Sequence, residues 1–168
     1  MKIINAVQGS PEWSEIRAKH FTASEAPAVM GVSKYTTRSE LLRQKATGHA
    51  PEIDAAKQAL FDQGHSAEAA SRGIAEITIG EELYQVTCTR DVDGLPLLAS
   101  LDGLNMAGDT AWEHKLFSNA LVAAIERKEI EPHYWVQLEQ QLLVSGANRV
   151  LFTTGATDGS NFVGMWYE

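Results

Sequence analysis

A single cysteine, Cys88, stands in a chain of 168 residues. That scarcity excludes an intrachain disulfide, a cysteine-type structural zinc site and a four-cysteine iron–sulfur cluster. A lone thiol in a strand-like run is ordinarily packing. The five histidines, at positions 20, 49, 65, 114 and 133, show no H-x-x-H or H-x-x-x-H spacing, so there is no local zinc signature. No apolar run approaches the length that crosses a bilayer, and no membrane partner is expected. The opening Met1-Lys2-Ile3-Ile4-Asn5 lacks an apolar h-region and a small-residue cleavage site, which leaves a cytoplasmic location as the expectation. No G-x-x-x-x-G-K run is present, so the chain carries no ATP motor of that type. Basic residues are also few, 14 Lys and Arg against 22 Asp and Glu, for a formal charge of −8. This balance weighs against a nucleic-acid ligand, whose phosphates are normally met by clustered cations. It does not exclude one, because a knot of carboxylates that holds divalent cations lowers the net charge while the remaining basic groups line a groove.

A chain of this length suits one domain with its own core, and no internal repeat or Pro/Gly/Ser linker divides it. A single unit over residues 1–168 is expected, and its stop at Glu168 in a strand-like run suggests a trimmed C-terminus. Ser10-Pro11-Glu12 reads as an N-cap with proline at the first helical position. A second helix is expected from Ser24, with Pro27 in its first turn and Gly31 closing it. Thr37-Arg38-Ser39-Glu40 has capping-box spacing, and residues 54–72 read as an alanine-rich helix. The period then changes. Ile77-Thr78-Ile79, 84–89, 97–102 and 110–116 are β-prone runs separated by turn residues. Helices from about Asn119 to Lys128 and Pro132 to Val144 follow, with strands near 149–153 and 162–167. This order implies the α/β class, with a mixed central β-sheet flanked by helices.

Asp102 ends one expected strand, and Glu113 and Lys115 lie two residues apart on the next, so the latter two share a face. Hairpin pairing brings Asp102 to them. Two carboxylates so placed can bind a hard cation through oxygen, and an adjacent ammonium can orient a water or balance a phosphate. Phosphodiester hydrolysis suits such a set. Taken alone, Asp-x(10)-Glu-x-Lys is also what a solvated strand edge looks like. The surroundings argue otherwise, because Ala99-Ser100-Leu101-Asp102-Gly103 and Trp112-Glu113-His114-Lys115 place charges inside otherwise apolar strands.

Five segments in order give the chain a resemblance to the YqaJ-type viral recombinase family, the lambda-exonuclease-like phage branch of the PD-(D/E)XK nucleases. They are Gln8-Gly9-Ser10-Pro11-Glu12-Trp13 with Arg17 and Thr22-Ala23-Ser24-Glu25; Gly64 with Glu68; Ser100-x-Asp102-Gly103; Glu113-x-Lys115; and Tyr134-x-x-Gln137-x-x-x-Gln141-Leu142-x-Val144-Ser145-Gly146. The resemblance implies a restriction-endonuclease-like core and a Mg²⁺-dependent 5′-to-3′ exonuclease on double-stranded DNA ends, with Mn²⁺ able to substitute. It implies release of 5′-mononucleotides, a 3′ single-stranded tail, a homotrimeric ring and a single-strand annealing protein as partner, in a bacterial host's cytoplasm. Residue by residue, it implies that Asp102, Glu113 and the His114 main-chain carbonyl ligate Mg²⁺, with Glu68 on a metal or its water. Lys115 would position the nucleophilic water, with Gln137 beside it. Arg17, Ser24 and Ser100 would hold the terminal 5′-phosphate. For Ser24 the residues offer a parallel argument, since an exposed helix N-terminus there would attract an anion.

Each residue has a plainer reading. Glu68 alone is a solvated helix residue, Gln137 and Gln141 are boundary positions beside a Trp135-Leu138-Leu142 stripe, and Arg17 pairs with Glu12 or Glu25. Trp13 reads as packing rather than a base platform. Glu139 stands where the family often has a second glutamine, and the proline that often follows the lysine motif is missing near Asn119. Other readings stay open: an endonuclease or repair nuclease of the same superfamily, or a non-catalytic DNA-end-binding module. The single cysteine speaks against a repair nuclease with an iron–sulfur cluster, and the intact Asp102, Glu113 and Lys115 set against a non-catalytic module.

Overall fold

Ser10 opens the first helix as its chemistry requires, accepting the Trp13 N–H at 3.1 Å through its hydroxyl while Pro11 fills the first helical position. The computed structural model describes residues 1–6, 10–48 and 54–168; the Gln8-Gly9 start of the first motif and His49 lie outside the described residues. The elements are β1 (Lys2–Ile4), α1 (Pro11–Ala18), β2 (Phe21–Thr22), α2 (Ala26–Val29), α3 (Arg38–Thr47), α4 (Ala55–Ile79), β3 (Tyr84–Val92), β4 (Leu95–Leu104), β5 (Thr110–Leu116), α5 (Asn119–Arg127), α6 (Pro132–Ser145), β6 (Arg149–Gly155) and β7 (Val163–Tyr167). The capping box is complete, since Thr37 Oγ1 takes the Glu40 N–H and the Glu40 carboxylate takes the Thr37 N–H.

Two expectations are corrected. Helix α2 begins at Ala26 rather than Ser24 and is four residues long, with Glu25 at its cap. The helix-terminus argument for an anion at Ser24 therefore fails, because one turn sums little dipole and the cap itself carries a carboxylate. The run Ile77-Thr78-Ile79 is the end of α4, not a strand. Extending an established helix adds a hydrogen bond for each residue fixed, and the Thr78 hydroxyl donates to the Ile74 carbonyl at 2.7 Å. Ala75 and Ile79 pack on the core, so tertiary contact outweighs β-propensity here.

The strands hydrogen-bond in the order β1-β3-β4-β5-β6-β7, with β2 beside β4, and the β2–β4 and β5–β6 pairs are parallel. The mixed α/β class expected from the sequence is the one observed. Two compact units are present, each assembled from three stretches of chain. In the first (Met1–Ala50, Val86–Leu101, Glu131–Ala147), β1 sets Ile3 against Cys88, and β2 sets Phe21 and Thr22 against Leu97 and Leu98. Helix α2 packs on α3 and α6. The Gln140 side-chain amide ties α6 to both strands, donating to the Phe21 carbonyl at 2.8 Å and the Leu98 carbonyl at 3.1 Å. Cys88 is fully buried, and burial pushes its thiol up to about 11, in line with a packing role.

In the second unit (Pro51–Gln85, Asp102–Ile130, Asn148–Glu168), the end of β4 pairs antiparallel with β5, Gly103 opposite Trp112 and Leu104 opposite Ala111. Strand β5 runs parallel to β6 and β6 antiparallel to β7, with α4 packed on β5 and β6 and α5 on β6 and β7. Ala75, Leu83, Trp112 and Leu151 form a buried cluster, with Ile79 and Phe162 against it. Gly103 is part of this fit. A Cβ there would stand 2.9 Å from Leu83 Cβ and 3.1 Å from Leu83 Cδ1. Gly103→Ala is therefore expected to destabilise the protein by about 1–3 kcal/mol through overpacking, read as a lower urea midpoint at unchanged slope.

Candidate functional site

Alternation along β5 puts Glu113 and Lys115 on one face and Trp112 and His114 on the other. The structure bears this out. Lys115 Nζ donates to Glu113 Oε1 at 2.5 Å, and the Glu113 side chain is almost fully buried. Extending the β4–β5 register by one residue sets Asp102 against Glu113, and the His114 N–H donates to Asp102 Oδ2 at 2.7 Å. The acid, acid and amine of the sequence pattern are thus neighbours in space. Their positions follow from strand register rather than from loop geometry, which fixes them closely.

Helix α4 contributes Glu68, one turn before Arg72. Arg72 Nη2 donates to Glu68 Oε1 at 3.0 Å and to the Asp102 carbonyl at 2.7 Å, while Nη1 donates to the Leu83 carbonyl at 3.1 Å. Its guanidinium lies over the Trp112 ring, 5.2 Å from the centroid. Arg72 therefore links the helical carboxylate to the strand that carries Asp102. The sequence reading passed over Arg72, although its i,i+4 spacing from Glu68 was a usable signal.

Burial holds Asp102 well above the ordinary carboxylate range, reinforced by the charges of Glu113 and Glu68 and opposed by Lys115 and the His114 N–H. Glu68 is also raised, first by burial and least by Glu113, against the pull of Arg72 and His65. A carboxyl raised in this way by burial and by neighbouring carboxylates is poorly hydrated and close to them. A hard divalent cation is the partner that suits an all-oxygen set of this kind. As the side chains stand, no three of the described His, Cys, Asp and Glu residues converge as metal ligands would. The carboxylates are instead engaged individually, Glu113 with Lys115, Glu68 with Arg72 and Asp102 with the His114 main chain.

His114 is held on the buried face by Thr153, whose Oγ1 lies 2.8 Å from Nδ1 and also accepts the Trp112 Nε1–H at 2.8 Å. Phe162 stacks on the imidazole at 6.3 Å and 12°. Burial and then the Lys115 charge push this imidazole down to about 4, against the Gly155 backbone, so it is neutral at ordinary pH. Thr153 gave no signal in the sequence, since a threonine in a strand is unremarkable until its neighbours are known.

The remaining expected residues lie in the first unit. Arg17, on α1, sits over the Trp13 ring at 4.7 Å and 4.0 Å from Glu25, the pairing anticipated as its plainer reading. Burial lowers its guanidinium pKa, with Glu25 opposing. Exposed Ser24 shares a hydrogen bond with Thr22 at 3.0 Å, and Ser100 one with Thr87 at 3.3 Å. Gln137 is half-buried on α6. Gln141 is fully buried rather than a boundary residue, and Trp135 is 39% exposed rather than part of the apolar stripe. Val136 and Leu138 occupy the core instead.

The model of the YqaJ-like viral recombinase domain matches residues 12–148. Among solved structures, the alkaline exonuclease LHK-Exo from Laribacter hongkongensis is similar at 25% identity with a TM-score of 0.72, over 95% of this chain and 82% of that one. LHK-Exo in complex with dAMP is similar at 24% identity and a TM-score of 0.70, with the same coverage of 95% and 82%. A phage-related exonuclease from Haemophilus somnus 129PT shares the fold at 13% identity and a TM-score of 0.55, over 81% of this chain and 67% of that one. The fold held in common with these exonucleases is the restriction-endonuclease-like one. Proteins of curated function give no match.

Proposed function

Because the chain belongs to the YqaJ-like viral recombinase domain family, we propose that it is a phage-type exonuclease that degrades double-stranded DNA from its ends with the help of a divalent cation. The finer reading is Mg²⁺ dependence, with Mn²⁺ able to substitute, 5′-to-3′ polarity, release of 5′-mononucleotides and a 3′ single-stranded tail. The observation that carries it is the meeting of Asp102, Glu113 and Lys115 on paired strands, with Glu68 close enough to perturb Asp102. Both compact units are discontinuous in sequence, so residues 1–168 are taken as one nuclease domain.

In this reading Asp102, Glu113, the His114 main-chain carbonyl and Glu68 hold the cation, whose charge would offset their mutual repulsion. Bound there, Mg²⁺ supplies Lewis-acid polarisation and neutralises charge at the phosphate. Lys115, already paired with Glu113, is placed to hold a water by its ammonium and to steady negative charge that develops on the phosphate. Gln137 assists that lysine, and Arg17, Ser24 and Ser100 hold the 5′-phosphate of the strand being shortened. Closure of three copies into a ring would confine DNA beside basic groups and so reconcile binding with the acidic composition. A single-strand annealing protein would receive the tail, in the cytoplasm of a bacterial host.

The test is digestion of linear duplex carrying or lacking a 5′-phosphate, with Mg²⁺ or with chelator, by the wild type and Lys115→Ala. Shortening that needs the cation, is stimulated by the phosphate and falls by about 10²-fold in the variant is the expected result. Cutting of closed circular DNA, or no digestion of linear duplex with Mg²⁺ present, would overturn the exonuclease reading.

A further inference from the structure

Lys45 lies in the last turn of α3, and its side chain, only 16% exposed, carries its ammonium to the end of α1. There it donates to the main-chain carbonyls of Arg17 at 2.9 Å and His20 at 2.7 Å, and pairs with Glu25 Oε2 at 2.8 Å. Each of the three ammonium protons thus has an acceptor. The same Glu25 oxygen accepts the Thr22 N–H at 3.0 Å, and the Thr22 hydroxyl shares a hydrogen bond with Ser24 at 3.0 Å. Lys45 therefore stands at the hub of a network that reaches both Arg17 and Ser24. Arg17 faces the other oxygen of that carboxylate, its Nη2 4.0 Å from Glu25 Oε1. Two cations share one carboxylate, and the lysine holds the shorter contact. The Arg17 guanidinium is steadied instead by the Trp13 ring at 4.7 Å. Taken together, Arg17, Lys45 and Glu25 carry one net positive charge in partly buried surroundings, which favours an anion.

We propose that Lys45 is a positioning residue for recognition of the 5′-phosphate: by taking up the charge of Glu25 and holding the main chain of Arg17, it keeps the Arg17 guanidinium available to the phosphate. This deepens the nuclease reading above and rests on its assignment of Arg17 and Ser24 to that phosphate. Without the ammonium, Arg17 would be the cation left beside Glu25. A guanidinium and a carboxylate 4.0 Å apart need little movement to close into a bidentate pair, and the planar fork that suits a phosphate suits a carboxylate equally well. Arg17 would then be occupied within the protein. Lys45 also meets a demand of the backbone, since the carbonyls at the end of α1 lack helical partners and lie at the negative end of its dipole. Glu25 in turn fixes Thr22, so the segment that carries Ser24 is held from the same ammonium. With its protons taken, Lys45 itself does not touch the phosphate.

The test is the ratio of digestion rates on linear duplexes with 5′-phosphate and 5′-hydroxyl ends, measured with Mg²⁺ on the full chain. Lys45→Met keeps an unbranched side chain of similar length without the charge. Its preference for phosphorylated ends should fall about tenfold or more, while the rate on hydroxyl ends changes little. Adding Glu25→Gln to Lys45→Met should restore most of the preference, because a neutral amide no longer captures Arg17. A role confined to structure would slow both substrates alike and would not be rescued by the second change. Glu25→Gln alone can still accept the Thr22 N–H and should prefer phosphorylated ends at least as strongly as the wild type, which decides the matter should Lys45→Met not fold. Equal losses on both ends in a folded Lys45→Met, no rescue in the double variant, or a lost preference in Glu25→Gln would overturn the positioning role. Arg17→Ala separates the two readings. If it keeps the preference, or if the wild type shows none or digests neither substrate, the reading of Arg17 as a phosphate ligand falls and the role of Lys45 with it. A preference lost in Arg17→Ala but kept in Lys45→Met removes the role of Lys45 alone.

Discussion

Asp102→Asn is expected to lower exonuclease activity by at least about 10³-fold while raising the melting temperature of the metal-free protein. The two effects have one cause. Burial, then the charges of Glu113 and Glu68, make a charge on Asp102 costly, with only Lys115 and the His114 N–H in its favour. The substitution puts a neutral amide where an ionisable carboxyl is buried beside two others, and so removes the cost of charging that position. An asparagine oxygen can still accept the His114 N–H, now made to Asp102 Oδ2 at 2.7 Å, so the pairing of β4 with β5 survives. Asp102→Ala removes the same carboxyl but leaves that N–H without its acceptor, and an orphaned buried donor costs about 1–3 kcal/mol. The alanine variant should thus be as inactive as the asparagine variant and melt below it. Assays of nucleotide release and thermal melts in chelator would check both. Equal melting temperatures for the two variants would show that the His114 contact carries no weight, and an active Asp102→Asn would remove the residue from the cation site.

How far the sequence alone reaches is clear from particular residues. Strand β5 and the capping box at Thr37 were legible because both depend on local rules, period-two alternation in one case and reciprocal side-chain caps in the other. Asp102, Glu113 and Lys115 could be brought together on paper because a hairpin fixes register within a few residues. Limits appear where a contact is distant in sequence. Strands β1 and β2, three and two residues long, carry no pattern of their own and exist through partners in β3 and β4. The helical state of Ile77-Thr78-Ile79 depends on packing that no local window contains. Gln140 shows the same limit from another side. Three glutamines lie on α6, and the family pattern drew notice to Gln137 and Gln141, whereas the side chain that anchors the helix to β2 and β4 is the one between them. Helical period narrows such a choice to a face, and only the chain opposite decides which amide finds carbonyls to bind.

The second large effect is one of stability. Trp112→Ala is expected to destabilise the protein by about 3–5 kcal/mol, a large share of the roughly 5–15 kcal/mol that holds a domain of this kind together. Trp112 has no exposed surface and packs with Ala75, Leu83 and Leu151, so its removal would leave a cavity ringed by helix and strands that cannot all collapse inward. The loss goes beyond volume. The indole N–H donates to Thr153 Oγ1 at 2.8 Å, the hydroxyl that also contacts His114, and the ring's face carries the Arg72 guanidinium. Trp112→Phe separates the two contributions, since it keeps an aromatic face for Arg72 but loses the N–H and part of the volume. Its loss of stability should be clearly smaller than that of Trp112→Ala, and its activity should still fall, because Thr153 and His114 lose the donor that orders them. Urea unfolding followed through Trp112-independent circular dichroism measures the first effect and nucleotide release the second. If Trp112→Phe retained full activity, the buried face of β5 would serve packing alone, and Glu113 and Lys115 would owe their placement to strand register without help from the side chains behind them.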